Sequence, residues 1–233
     1  MATQNTSYPK FIPYHYPAIF DRTYKAAANS QGVVCALLCA TALEAFIHDF
    51  IGWYDYVRKN FISYGEGSYP RDNYLKESEK VLLDKLQLSE SNRLSVTEKY
   101  HCFREWKKSE QPYQDFKTLI TIRNSLAHLK PEELNMQEDN DSIDGYPRFL
   151  NDFFQKKIIT KPADFISWIE LIETQEFCLW CQNATYKMIE STLSILPESN
   201  TKIHFKKQIA FMYDVNSFRE RLSLSAKNSG TPT

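Results

Sequence analysis

The sequence predicts an all-α fold, a helical bundle built on two long core helices, and three observations carry this prediction. Apolar residues recur at spacings of three and four over long stretches. Prolines stand near the ends of several of these stretches. The 233 residues include only six glycines, too few for a turn-dense all-β fold or a glycine-rich nucleotide loop. We expect the long helices near 26–60 and 162–195.

Composition places the chain among ordinary globular proteins and limits how it could bind nucleic acid. Hydrophobic residues make up 42% and charged residues 24% of the chain, as in typical globular domains. The net charge of −1 excludes a globally basic coat, so RNA binding would need a local patch. The sequence shows no basic start followed by an apolar run, the pattern of a secretory signal. We therefore expect a cytoplasmic protein.

The length fits one domain, predicted at 1–200, followed by an extension at 201–233. At the start, Pro9, Pro13 and Pro17 are evenly spaced, which favours an extended arm over residues 1–20. The extension is predicted to be an additional C-terminal helix or tail, partly disordered, and it has the clearest basic excess of the chain. Its basic residues, where we would look for a phosphate contact, are Lys202, Lys206, Lys207, Arg219, Arg221 and Lys227.

The first long helical pattern, from about Tyr24 to Phe61, is apolar around nearly its whole circumference. Such a helix is either central in a bundle or inside a membrane. Glu44, His48 and Asp49 interrupt it well short of a full span, so the bundle is favoured and no membrane is expected. Glu44 and His48 are four residues apart and could form a structural contact. Alternatively, Glu44 reaches a cation elsewhere, since a carboxylate in an apolar helix needs a partner.

Shorter elements separate the two long helices. We predict short helices at 77–88 and 97–108. We predict loops at 63–70 and over the acidic stretch 132–144. The pattern at 149–159 is ambiguous between helix and strand. Pro162 is predicted to open the second long helix. Within that helix, Cys178 and Cys181 have the spacing of a redox or metal pair. With no second pair and no preceding strand, core packing is favoured, and we expect no metal and no cofactor. The odd number of cysteines suggests reduced thiols.

The stretch 118–131 is the part of the chain with the clearest chemical capability. Leucine and isoleucine residues recur along it as one buried helical face, and Pro131 ends the helix. This face comprises Leu119, Ile122, Leu126 and Leu129. A second, smaller apolar strip lies elsewhere on the helix and consists of Phe116, Ile120 and Ala127. It needs a second surface to cover it. We therefore expect a homodimer through this strip, which would gather two copies of Arg123, Asn124 and His128 around one cleft.

The hexapeptide Arg-Asn-Ser-Leu-Ala-His at 123–128 resembles the signature of the HEPN superfamily of small helical domains. The proline just beyond it and the stretch Ala-Leu-Glu-Ala-Phe-Ile at 42–47 add to this resemblance. It implies a HEPN-like bundle over about 26–195. Many HEPN proteins are metal-independent endoribonucleases that act as dimers, and others are binding modules. The chain lacks the tyrosine that one toxin branch has shortly after its histidine.

The chemistry of this motif fits RNA cleavage without a metal. A histidine such as His128 moves protons near neutral pH, and the guanidinium of Arg123 holds two phosphate oxygens at once. Asn124 would orient the phosphate or the hydroxyl, and Glu44 would orient Arg123. Alternatively, Arg123 and His128 only cap and pair at a helix end. Two functions therefore stay open: an endoribonuclease, in stress response or phage defence, and a non-catalytic dimer that binds a nucleotide, RNA or a protein.

Overall fold

The computed structural model describes residues 14–63, 76–127, 142–143 and 146–212, and it confirms the all-α class. These residues form nine helices and one antiparallel pair of two-residue strands. The helices are α1 His15–Ala28, α2 Gly32–Ser63, α3 Glu77–Ser91, α4 Val96–Phe103, α5 Gln111–Ala127, α6 Arg148–Gln155, α7 Trp168–Leu171, α8 Gln175–Ser194 and α9 Asn200–Met212; the strands are β1 Ser142–Ile143 and β2 Tyr146–Pro147.

Helix α2 is the centre of the bundle, as its apolar circumference predicts. It packs along α1 and α8, and α5 lies against both α2 and α8. Its inner side chains, among them Leu43, Phe46 and Ile47, are fully buried. Among the described residues, Gly32–Val57 is the one stretch long and apolar enough to cross a membrane, and 61% of its most apolar window is buried inside the protein. A core helix of a bundle meets the same criteria, so this stretch is weak evidence for a membrane.

The predicted extended arm is wrong for residues 15–20, because α1 begins at His15. Pro17 lies in the first turn of α1, where a missing N–H breaks no intrahelical bond. The buried carboxylate of Asp49 accepts hydrogen bonds from the backbone N–H groups of His15 (2.6 Å) and Tyr16 (2.8 Å). Asp49 thus interrupts the apolar run of α2 in order to cap α1. The prolines Pro9 and Pro13 lie outside the described residues.

The first long helix also begins later than predicted. The chain turns at Ser30, which has a φ of 53°, and α2 starts only at Gly32. The N–H of Gly32 donates to the Glu173 carboxylate at 2.6 Å, and a Cβ on Gly32 would lie 1.8 Å from the carbonyl oxygen of Ile172. The helix start therefore needs a glycine, because it touches the backbone before α8.

The second long helix is shorter than predicted. Residues after Pro162 are irregular up to the single turn of α7, and α8 begins at Gln175. The hydroxyl of Thr174 accepts from the N–H of Phe177 at 3.2 Å, so the start of α8 is set by a threonine cap and not by the proline. The predicted helix at 77–88 is confirmed as α3. The predicted helix at 97–108 ends early, at Phe103. The ambiguous segment 149–159 begins within the helix α6.

The C-terminal extension does not begin at residue 201, because α9 belongs to the bundle. Phe205 is fully buried and Ile209 nearly so. The ammonium of Lys202 is also buried, and it donates to the carbonyls of Leu196 (2.7 Å) and Ser194 (3.3 Å) at the end of α8. Lys202 is therefore a structural cap and not a surface contact for phosphate. The other end of the predicted extension, from residue 213, lies outside the described part of the chain.

The cysteines of α2 and α8 pack together in the core. Cys35, Cys39, Cys178 and Cys181 are all fully buried free thiols. The Cys178 thiol beside Cys35 is the main cause that raises the pKa of Cys35, with Cys181, Cys39 and burial adding to it. Burial raises the pKa of Cys181 to about 11. Cys35 and Cys181 therefore stay protonated at neutral pH, as core packing requires.

Candidate functional site

Helix α5 is held rigidly by its buried face. Leu119 and Ile122 are fully buried and Leu126 packs against the core, which confirms three members of the predicted face; Leu129 lies outside the described residues. The ring of Phe116 lies 4.8 Å from that of Tyr100 on α4. Pro112 lies in the first turn of α5, where its missing N–H breaks no intrahelical bond. The polar residues near the end of α5 thus extend from a fixed scaffold.

The second apolar strip of α5 is mostly buried within the same subunit, which corrects the sequence interpretation. Phe116 has no exposed surface and Ile120 is 8% exposed, while Ala127 is exposed. Phe116 packs against Tyr100 of α4, a helix whose place in the bundle sequence periodicity could not predict. The surface on which we based the homodimer is therefore unavailable to a second copy.

Arg123 and Glu44 form the central contact of the site. The Nη2 of Arg123 donates to Oε1 of Glu44 across 3.3 Å, joining α5 to α2. The Nη1 of Arg123 donates to Oδ1 of Asn124 at 3.0 Å. About a third of each side chain of the ion pair is exposed, 37% for Arg123 and 36% for Glu44. The sequence alternative in which Glu44 reaches Arg123 is thus confirmed as a contact.

This ion pair borders a cavity of about 290 Å³ between α2, α4 and α5. Polar and apolar side chains share its wall. The polar members are Glu44, His48, Ser95, Lys99, Arg123 and Asn124, and the apolar members are Ile47, Leu94, Val96 and Ile120. The volume lies at the small end of the range for ligand pockets. A mixed wall of this kind can hold a small ligand with one charged and one apolar part.

Glu90 of α3 pairs with the lysine that α4 contributes to the cavity wall. Its Oε1 accepts from Lys99 Nζ at 2.7 Å and lies 3.6 Å from Nδ1 of His48. The Lys99 side chain is only 14% exposed, so its charge is held close to the cavity. The cavity therefore has cations on two sides, Arg123 from α5 and Lys99 from α4.

Tyr100 connects this wall to α2 at the position of the ion pair. Its hydroxyl donates to the carbonyl of Leu43 at 3.1 Å, one residue before Glu44. Burial is the main cause that raises the pKa of Tyr100 well above its ordinary value, and the negative charge of Glu44 adds to it. Tyr100 thus stays neutral and fixes α4 against α2.

Sequence reasoning found three of the polar cavity residues through the motif and its expected partner, and it missed Lys99 and Ser95. Neither residue stands in a pattern that suggests chemistry; their place follows from how α4 packs. His48 was noted only for its spacing from Glu44, whereas it faces Glu90. Among the described residues, no group of His, Cys, Asp or Glu is arranged to hold a metal ion.

His128, the predicted proton-transfer residue, lies outside the described residues, as do most of the acidic stretch 132–144 and the loop from residue 64. Helix α5 is described as far as Ala127, one residue earlier. No family model, curated protein or solved structure matches this chain. The resemblance to the HEPN superfamily therefore rests on the two quoted stretches, at 42–47 and 123–128.

Proposed function

We propose that this protein is a metal-independent endoribonuclease of the HEPN type, with its active centre at the Arg123 end of α5. Arg123 binds the scissile phosphate and Asn124 orients it. His128 transfers the proton, and Glu44 positions the guanidinium. The observation that carries the proposal is the Arg123–Glu44 contact at the edge of a cavity, because it joins the two stretches on which the resemblance depends.

The reaction needs no cofactor, because RNA supplies its own nucleophile. The ribose 2′-hydroxyl attacks the adjacent phosphorus, its proton passes to a base, and the 5′-oxygen of the next nucleotide leaves and takes up a proton. The products are a cyclic phosphate and a 5′-hydroxyl. Arg123 stabilises the negative charge that grows on the phosphoryl oxygens, and an imidazole suits the proton transfers near neutral pH.

The homodimer expected from the sequence remains part of the proposal, but through another surface. Val34 and Leu37 of α2 are 42% and 37% exposed, and Thr41 on the same helical face is exposed as well. One face of α2 thus offers apolar surface to a second copy. Glu44 follows Thr41 by three residues and so lies on the same face, which would bring two sites close to each other.

The second candidate is a non-catalytic binding module, which the Arg123–Glu44 contact also allows. A guanidinium already paired with a carboxylate has a structural use without any substrate. In such a protein the cavity would hold its ligand and release it unchanged. The two candidates differ in whether RNA is cut, and a cleavage assay separates them.

The test measures cleavage of a mixed-sequence RNA in the presence of EDTA. We expect the parent protein to cut. We expect His128→Ala to lower the rate by about 10²–10⁴-fold, as for the loss of a proton-transfer group, and Arg123→Ala by about 10²–10³-fold. The matched control is Arg22→Ala, which removes an exposed arginine of α1 away from the cavity and should leave the rate unchanged.

Two results would overturn the endoribonuclease. One is cleavage that stops in EDTA, and the other is cleavage at the parent rate by both His128→Ala and Arg123→Ala. A folded parent that cuts no RNA would leave the binding module as the function.

A further inference from the structure

The cavity beside Arg123 contains a second cation that the proposed mechanism does not use. Lys99 lines the cavity from α4 and its side chain is 14% exposed. Taking a lysine out of water is costly unless a partner compensates its charge. Glu90 supplies that partner at 2.7 Å. Lys99 therefore lines the same cavity as Arg123, and its ammonium is held by Glu90 just behind the wall.

The charges around the cavity are balanced so that an added anion is tolerated. On its wall, Arg123 and Lys99 oppose the single carboxylate of Glu44, and Glu90 lies just behind Lys99. His48, beside Glu90, adds positive charge when protonated. An entering phosphate can compete with both carboxylates for the two cations, because its oxygens accept several charge-assisted hydrogen bonds at once.

The start of α4 does not supply this anion site. Its N-terminus borders the cavity through Ser95 and Val96, but the Glu98 carboxylate already accepts from the N–H and the hydroxyl of Ser95, at 2.8 and 2.7 Å. A carboxylate therefore occupies the positive end of the helix. The side chains of Arg123 and Lys99 would therefore bind the phosphate.

The rest of the cavity suits an uncharged, apolar group. Ile47, Leu94, Val96 and Ile120 form its apolar wall. A volume of about 290 Å³ is close to the size of one nucleotide and too small for two. The apolar wall would cover the faces of a base, while the ribose hydroxyls would lie among the polar groups Ser95 and Asn124.

We propose that the cavity holds one nucleotide unit of the RNA, with its phosphate between Arg123 and Lys99 and its base against the apolar wall. The choice of ligand rests on the function proposed above. Lys99 is then a second phosphate-binding residue, contributed by a helix outside the sequence motif. Its pairing with Glu90 holds it in place until the phosphate arrives.

The test is calorimetric titration of the full chain with three probes: adenosine 3′-monophosphate, adenosine and inorganic phosphate. We expect the nucleotide to bind most tightly. Lys99→Met should weaken nucleotide and phosphate binding by about tenfold or more, since a hydrogen bond to a charged group is lost. Lys80→Met is the matched control, because Lys80 lies on α3 in an exposed pair with Glu77 and does not line the cavity. It should bind like the parent.

Two further variants separate the parts of the site. Val96→Ser makes the apolar wall more polar and should weaken nucleotide binding while leaving phosphate binding unchanged. Glu90→Gln removes the charge that competes for Lys99 and should strengthen phosphate binding. If Lys99 served only its pair with Glu90, Glu90→Gln would lower the melting temperature and leave binding as it was, which would overturn the proposal.

Other outcomes are equally decisive. A folded parent that binds neither nucleotide nor phosphate at millimolar concentration overturns the proposal, as does Lys99→Met binding like the parent. Cleavage of RNA by the same parent preparation is measured in parallel. Binding without cleavage supports this proposal and overturns the endoribonuclease, whereas cleavage without nucleotide binding overturns this proposal alone.

Discussion

Replacing Glu44 with alanine should impair the site while leaving the fold almost unchanged. Glu44 is 36% exposed and makes one ion pair, 3.3 Å long, with Arg123. Partly exposed pairs of this kind contribute about 0–1 kcal/mol to the free energy of unfolding. For a chain of this size that is at most about 4 °C in melting temperature. Arg123 would keep its charge but lose the carboxylate that orients it.

Asp49→Ala provides the contrast on the same helix. Its side chain is 3% exposed and accepts hydrogen bonds from three donors at the start of α1. Losing a helix cap and leaving buried N–H groups unpaired costs about 2–4 kcal/mol, or about 5–15 °C in melting temperature. The two substitutions, five residues apart, should therefore have different effects. Glu44→Ala should lower activity, whereas Asp49→Ala should lower the melting temperature.

The assay combines thermal unfolding with the kinetics of RNA cleavage in EDTA. We expect Glu44→Ala to melt within a few degrees of the parent and to lower kcat by up to about 10²-fold, as for a misplaced catalytic group, with a smaller change in KM. The reasoning would be refuted if Glu44→Ala cleaved like the parent, or if it melted as early as Asp49→Ala.

Three further predictions concern other parts of the molecule. Burial is the main cause that lowers the pKa of His204 below its ordinary value of 6.5, and the charge of Lys207 adds to it. The unfolded chain therefore binds more protons than the folded protein below pH 6.5. The free energy of unfolding should fall as the pH drops through that value. Urea unfolding at pH 7.5 and 5.5 should show a smaller loss for His204→Phe, which cannot titrate, and an equal loss in both proteins would contradict the assignment. Leu37→Lys should convert a dimeric parent to a monomer in light scattering; an unchanged mass would exclude this face of α2. Asn124→Ala should slow RNA cleavage without shifting the melting temperature, because Asn124 is exposed, and a rate equal to that of the parent would remove it from the site.

The sequence predicted the class of the fold, because that class follows from local patterns, and it offered Glu44 as the partner of Arg123 only as one of two alternatives. The apolar circumference of α2 predicted its central position. Glu44, one of three polar residues that interrupt that circumference, indicated either a contact with His48 or a cationic partner, since a carboxylate there is costly alone. The structure pairs it with Arg123. The buried face of α5 followed from the spacing of its leucine and isoleucine residues.

What the sequence missed depends on contacts between distant segments. The start of α1 is stabilised by Asp49, 34 residues away from His15, and no local signal marks that cap. Phe116 and Ile120 looked like an exposed strip because α4, which covers Phe116, had no predicted position. Lys99 became part of the site for the same reason. Periodicity tells which residues are buried, but not which helix buries them.

The central claim is that the Arg123 centre cleaves RNA by transferring the phosphate to the neighbouring ribose hydroxyl. Mass spectrometry of the products of a short RNA, cut by the parent protein in EDTA, tests it most directly. We expect a cyclic phosphate on one product, a 5′-hydroxyl on the other, and neither product with Arg123→Ala. Products with a 3′-hydroxyl and a 5′-phosphate, or intact RNA from the folded parent, would contradict the claim.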